Sequence, residues 1–466
     1  MWNRNLGGLF LFSQKLPHQS GESAIYSRAE VAKNDGSQGR RKHPGEKFID
    51  CAAGGDVEPF WKYWSVHRNN PKVDKILRES LIGRVEGAAA DSEERSPFAG
   101  EPERSRGHFK VLSWRPFDAE TLPASLAEFN LTPVRDRLYV RNHAPVPSLD
   151  SSHTLYLSGV ELSLTDLERK YQPVSLVSVL QCAGNRQKDN FRANGPNVFT
   201  NAGDSSKLEN GQVGNVEWTG YDLCGVLADH FPEEVAEELG QMDAEEEVWH
   251  LVLKGADQYA TSVPLKKVLR TRGLLATKAN GEVLTPDHGY PLRVILPGII
   301  GARSVKWVEE ISLQRQELDS PWNKNYYKNS RDEAIHEFFI QSIMLTHEIL
   351  EGGRRIEIRG VAYDPKTPLG KVEVHDGKTW HLAKMEDMPA SGPTPTSTPT
   401  PTPTPYGWRR WSIVLDHESR VYKSRATNQK GESQPEVSAK ENGYIYNGYG
   451  MLDVGGEAPI AGSETI

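Results

Sequence analysis

The stretch Val174–Gln187, VSLVSVLQCAGNRQ, constrains the fold of this chain most. Val174, Leu176, Val177, Val179 and Leu180 form a short, β-branched apolar run, too short for a typical helix and bounded by a turn, so it predicts a buried strand. Ala183, Gly184 and Asn185 turn the chain, which leaves Cys182 where strand becomes loop, rigid behind and open in front. A thiolate held there can bind a soft metal or attack a substrate. The competing reading is a small packed hydrophobe, the commonest fate of a free cysteine.

Composition narrows the function. The formal charge is −8 and no long basic run occurs, which argues against nucleic acid as a partner. No apolar run approaches the roughly 20 residues of a membrane span. Cys51, Cys182 and Cys224 cannot build a disulfide framework. A length of 466 residues predicts about three domains. Residues 1–25 contain Arg4, Lys15 and His18 with no acid before Glu22, a pattern shared by weak mitochondrial presequences and by disordered ends.

Two further blocks flank the cysteine: LYVRNHAPVP at Leu138–Pro147 and TPDHGYPLRVILPGIIGARSVKW at Thr285–Trp307. With LQCAGNR they resemble, in order and spacing, the molybdopterin domain of the sulfite oxidase family, which includes plant and fungal nitrate reductases. The resemblance covers residues 107–320 and continues to about 455. It implies a molybdenum–molybdopterin cofactor whose metal takes one protein ligand, matched by Cys182. A soft thiolate suits such a centre. The cofactor ends in a phosphate. The matching positions for it and the pterin are Tyr139, Val140, Arg141, Asn142 and His143, then Asp257 and Ser262, then His288, Arg293, Ser304, Val305 and Lys306. Guanidinium forks, an ammonium and backbone N–H groups are the donors a phosphate needs. Arg141 matches the family's substrate-anion arginine, so Cys182 and Arg141 are the implied catalytic pair. Singly, His143 reads equally as a surface loop residue, Lys306 as a solvated edge charge and DHG as a plain turn; together, in family order, they point to the cofactor.

The departures cluster in the substrate shell. The family's NRR reads NRQ, so Gln187 stands in place of an arginine. LAYxxNG reads LATKANG, placing Thr277 where the family has a tyrosine. A WNLRG-like segment reads YNGYG, with Tyr449 at an arginine position. The metal and cofactor residues are kept while the anion pocket is altered.

The fold expected is α+β: a sulfite-oxidase-type molybdopterin domain, then an immunoglobulin-like β-sandwich, with a partial cytochrome b5-like helical unit in front. That unit, residues 26–93, carries His43 in HPG and His67 in SVH, 24 positions apart, matching the axial haem ligands of the b5 family. Only Arg40, Arg41 and Lys42 separate GSQG from HPG, where the family has strands. A small unit without its sheet has little core, so a helical remnant that does not hold haem b stably is the reading adopted. Residues 94–106 are polar and read as a linker. Further on, EWTGYDLCGVLADHF reads as an amphipathic core helix with Cys224 as packing, and EEVAEELGQMDAEEE as an acidic, solvated helix. Residues 321–455 alternate as short strands, the signature of a sandwich, which the family uses for homodimerisation. A Thr/Pro repeat at 391–406 cannot join a ladder and reads as an extended insertion, and 456–466 as a disordered tail.

The resemblance implies oxidation of sulfite, or of another small oxyanion, by oxygen-atom transfer, with cytochrome c or another protein as electron acceptor. It implies a mitochondrial intermembrane-space location, with the cytoplasm as alternative. Nitrate-type reduction, and a non-catalytic molybdopterin-binding dimer, are the competing functions.

Overall fold

A computed structural model describes residues 98, 100–105, 107–195, 209–243, 248–386, 406–439 and 443–455, together with two short strands. These two, Ile25–Tyr26 and Arg84–Val85, pair in parallel. His43, His67 and the rest of the b5-like unit lie outside the described residues, as do most of the Thr/Pro insertion and the tail. The chain divides into two compact units, one formed by residues 1–102 with 142–146 and the other by 103–141 with 147–466. In the first, the Val146 N–H donates to the Glu101 carboxylate at 2.9 Å.

The second unit is mostly sheet with a few short helices. Its first large sheet runs, edge to edge, Ala260–Pro264, His250–Gly255, Val308–Gln314, Thr154–Leu157 and Val160–Ser163. The pairing of Val308–Gln314 with Thr154–Leu157 is parallel and the others are antiparallel. The hairpin ending at Ser163 runs straight into the helix Leu164–Lys170. Ser163 and Asp166 form a reciprocal capping box there, which fixes the strand-to-helix corner.

The second sheet carries the cysteine. Val174–Gln181 pairs antiparallel with Val213–Asp222, which pairs with Leu274–Ala279. Leu176, Leu180, Val216, Trp218, Leu274, Ala276 and Ile295 form one buried cluster, and Cys182 packs at its edge. The apolar run folds as a strand that ends one residue before the thiol; its start at Val174 is exposed, and it is continuously buried only toward the cysteine, from Ser178 onward. EWTGYD belongs to the strand Val213–Asp222, and the helix begins only at Leu223. Leu223, Val226 and Leu227 are buried on it as the periodicity requires. Cys224 is half-buried, its thiol 3.8 Å from the Val268 carbonyl and 3.7 Å from that of Thr271. The acidic helix Pro232–Gly240 is not wholly solvated. Glu238 is fully buried, accepting from the Trp249 N–H at 3.0 Å and lying 4.0 Å from Lys266.

A third, three-stranded sheet orders Phe109–Trp114, Phe117–Thr121 and Val140–Arg141. Two four-stranded sheets follow: Gln341–Leu350, Arg355–Tyr363, Arg409–Asp416 and Lys384–Met385 in one; Trp380–Leu382, Leu369–His375, Val421–Asn428 and Gly450–Asp453 in the other. They share a core of Met344, Ile356, Ile358, Val372, Val374, Trp411, Tyr422 and Ala426, and the Ser342 and Ser424 hydroxyls meet across it at 3.0 Å. The helices Leu223–His230 and Pro232–Gly240, at eight and nine residues, are no match for a span of about 20. Among the described residues no helix is long and apolar enough to cross a membrane.

Candidate cofactor and anion site

Cys182 is anchored through its backbone. Its N–H donates to the Gln212 carbonyl at 3.0 Å and its carbonyl accepts from the Asn185 N–H at 3.0 Å. The Gly184 N–H points at Sγ at 3.5 Å. Desolvation pushes the thiol above its ordinary range and Arg141 offsets only part of that, so the free thiol stays protonated near neutrality, and a metal would have to displace that proton to bind it.

Gln212 ties the cysteine to the arginine. Its N–H donates to Asn185 Oδ1 at 3.1 Å and its side-chain amide to Asp118 at 3.4 Å. The other Asp118 oxygen accepts from Arg141 Nη1 in an ion pair. Asp118 lies on Phe117–Thr121 beside Arg141 in register, so sheet pairing sets this contact. Tyr327 and Tyr444 complete the surroundings. Their rings stack at 5.6 Å between centroids, and both are within electrostatic reach of Cys182 and Arg141. Desolvation raises both phenols, which stay protonated.

The second part of the site is basic and buried. His288 sits in a tight turn at Pro286–His288. Its Nδ1 faces the Thr285 hydroxyl at 2.8 Å and its Nε2 the Tyr139 carbonyl at 3.3 Å, an arrangement assigned to the neutral Nε2–H tautomer. Desolvation drives its pKa down to about 3, helped by Arg293 and Lys306. Arg293 donates to the carbonyls of Ser304 (3.3 Å) and His288 (3.2 Å), and desolvation lowers it to about 10. Lys306 reaches the carbonyls of Asp287 at 2.9 Å and Arg141 at 3.3 Å. Desolvation, then Arg293, holds its ammonium well below the usual lysine range. Asp257 is raised by the same burial, with Lys306 opposing. Gly289, at φ +103°, closes the turn, and a Cβ there would meet Lys306 and Arg293 at 3.1 Å.

Other expected positions divide. Tyr139 is buried, its hydroxyl over Gly301, where a Cβ would come within 2.7 Å. Val140 is buried beside Arg141. Asn142 (buried) and His143 (half-buried) follow that strand and group with the first compact unit. The Ser304 hydroxyl accepts from the Leu296 N–H at 3.0 Å, and the Val305 carbonyl from the Val294 N–H at 2.9 Å. The Ser262 hydroxyl instead supports the Leu318 N–H (2.9 Å) and Asn323 (3.1 Å), beside buried Arg303. Gln187 is buried at the start of the helix Gln187–Asn194, and Thr277 occupies a β-bulge. Tyr449 turns to Trp380 at 5.2 Å, and its hydroxyl accepts from Arg425 at 3.4 Å.

Sequence reasoning missed Asp118, Gln212, Tyr327, Tyr444 and Arg104. Arg104, in the stretch read as a linker, forms a bidentate pair with Asp287 at 2.7 Å and stacks on Phe117 at 4.3 Å. Burial raises the Asp287 carboxyl, but Arg104 outweighs it and holds the group below its usual range.

The donor set fits an anionic, thiolate-ligated cofactor. Arg293 and Lys306 are crowded buried cations whose depressed pKa values a phosphate would relieve. Gln181 Nε2, Asn185 Nδ2 and Gln212 Oε1, on residues that adjoin Cys182 or hydrogen-bond to its backbone, are buried with no partner among the described residues. Orphaned polar atoms are costly unless a ligand or water meets them.

Residues 143–322 match the family described as oxidoreductase molybdopterin binding domain. The mitochondrial sulfite oxidase of Drosophila melanogaster is 30% identical over 465 residues, covering 92% of this chain and 74% of that protein. The human mitochondrial sulfite oxidase is 31% identical over 408 residues, covering 79% and 70%. Among solved structures, the sulfane dehydrogenase SoxCD of Paracoccus pantotrophus superposes with a TM-score of 0.58 at 20% identity, covering 77% of this chain and 96% of that one, a likeness of fold. This chain belongs to the sulfite oxidase family and is a molybdenum–molybdopterin oxidoreductase.

Proposed function

We propose that this chain oxidises sulfite to sulfate, with Cys182 as the protein ligand to molybdenum and Arg141 as the residue that seats the anion. The observation that carries the reading is the joining of Cys182, Gln212, Asp118 and Arg141 through consecutive hydrogen bonds, beside buried Arg293 and Lys306. When bound, the cofactor supplies oxygen-atom transfer coupled to two-electron chemistry. Overall, sulfite and water become sulfate, two protons and two electrons, and the electrons leave to an external acceptor.

The chain's own residues act electrostatically. Arg141 donates charge-assisted hydrogen bonds to the anion, and Asp118 fixes the guanidinium so that little reorganisation is needed when charge moves. Arg293 and Lys306, with Ser304 and Val305 alongside, take the cofactor's phosphate. His288 stays neutral and orients through Tyr139. Tyr139, Val140, Asn142, His143, Asp257 and Ser262 are assigned to the pterin by family match. Gln187 donates a hydrogen bond without charge, so sulfite is bound weakly; charge-assisted bonds are roughly twice as strong as neutral ones. The alteration at Gln187 and Thr277 also supports a second reading, another small oxyanion as the physiological substrate.

The paired four-stranded sheets support an immunoglobulin-like module over residues 321–455 and a homodimer through it. The named mitochondrial relatives support a mitochondrial location, with the intermembrane space and cytochrome c as the finer assignment. The test is steady-state sulfite oxidation with ferricyanide, an acceptor that needs no haem. Sulfite-dependent reduction supports the reading, and none from metal-loaded protein overturns it.

A further inference from the structure

We propose that Tyr444 is a substrate-binding residue of this chain, its phenol O–H donating to the oxyanion opposite Arg141. The proposal rests on the sulfite reading only for the identity of the anion.

The placement comes from three contacts. The Ile445 N–H donates to the Ala183 carbonyl at 2.7 Å, which pins this segment directly onto the turn that follows Cys182. The Tyr444 ring packs with Ala183, Ile300 and Tyr327 in one apolar cluster, stacked on Tyr327 at 5.6 Å and 41°. The Tyr327 backbone N–H faces the Tyr444 hydroxyl closely enough to offset part of the burial that raises this phenol. The phenol has one proton to donate, and a backbone N–H cannot accept it, so its acceptor must be another group.

Tyr327 is itself held unusually. Its φ is +53°, a left-handed conformation that a bulky residue adopts at a cost, and its carbonyl accepts from the Ile335 N–H at 2.7 Å. Backbone held against its preference collects at sites where geometry matters. Cys182, Arg141, Tyr327 and Tyr444 interact electrostatically in every pairing. Tyr444 is half-buried rather than sealed in the core. An anion seated by Arg141 beside Cys182 therefore meets a phenol donor. Gln187 and Thr277, which stand where the family has an arginine and a tyrosine, supply neither a charge nor a phenol in its stead.

The experiment uses molybdenum-loaded protein, wild type and Tyr444→Phe, which keeps the ring packing and removes only the hydroxyl. Metal content is measured first and is expected to be equal. Two readouts follow: the sulfite KM with ferricyanide, and equilibrium sulfate binding by calorimetry, which needs no turnover. A hydrogen bond to a charged group predicts a rise of about tenfold or more in both KM and sulfate Kd, with a smaller change in kcat. A purely structural tyrosine would leave sulfate binding unmoved, and values within about twofold overturn the proposal. If wild type ignores sulfite but binds sulfate, and Tyr444→Phe weakens that binding, the sulfite reading fails and the tyrosine assignment stands. If wild type does neither, both fail.

Discussion

The guanidinium of Arg141 is ion-paired to the carboxylate of Asp118, a residue on the neighbouring strand. Asp118 is buried while Arg141 keeps about a third of its side chain exposed, so the acid works as an anchor for a guanidinium that is still partly exposed. Asp118→Asn keeps the shape and removes the charge. Breaking a buried pair costs 3–5 kcal/mol, and the partial exposure here reduces that to about 1–3 kcal/mol. The expected outcome is a fall in kcat/KM of about tenfold or more, a lower melting temperature and unchanged metal content. An unaltered kcat/KM would show that Arg141 needs no anchor.

Arg141→Gln carries the same logic to the anion itself. Losing a charged transition-state donor typically costs about 3–4 kcal/mol, so most sulfite turnover should disappear in steady-state assays. Because Gln187 is neutral, no second guanidinium at that position compensates.

Gln187→Arg with Thr277→Tyr should lower the sulfite KM by about tenfold, the value of one added charged hydrogen bond. Gln187 is 3% exposed, so the longer arginine should also lower stability by about 1–3 kcal/mol through overpacking. A KM that does not move in fully metal-loaded protein argues for a different anion.

Much of this arrangement was legible, and the failures have physical causes. The strand before Cys182 and the alternating strands from Gln341 onward read correctly because burial on a sheet face imposes its period on the sequence. EWTGYD was read as helix because Leu223, Val226 and Leu227 extend a helical period backward, whereas pairing on both sides makes it strand. Glu238 looked solvated because its partners, Trp249 and Lys266, come from other elements. Asp118 and Tyr444 carry no motif. Each reaches the site by long-range pairing, 23 residues from Arg141 in one case and 262 from Cys182 in the other.

Lys306 makes stability depend on pH in a defined direction. Its folded pKa lies below that of an unfolded lysine, about 10.4. The cost of burying the ammonium is complete at and below the folded pKa. It is relieved as pH rises toward the unfolded value, where the unfolded chain holds the extra proton. Cofactor-free wild type should therefore gain stability relative to Lys306→Met between about pH 7 and 10. Denaturant midpoints of the two proteins at several pH values check this, and parallel curves would contradict it. Loaded cofactor, by pairing the ammonium with phosphate, should flatten the difference.

Light scattering should give a dimer mass, unchanged when the Thr/Pro repeat at 391–406 is deleted, because the repeat falls between the described strands Lys384–Met385 and Arg409–Asp416. A monomer mass across micromolar concentrations rules out the proposed interface.

The most direct test of the whole account is molybdenum content and sulfite-dependent ferricyanide reduction, measured side by side for purified wild type and Cys182→Ser. A hydroxyl is a poor ligand for a soft centre. Wild type should hold about equimolar molybdenum and turn over sulfite, while Cys182→Ser should keep its fold and lose turnover. A serine variant that oxidises sulfite as fast as wild type would contradict the assignment of Cys182.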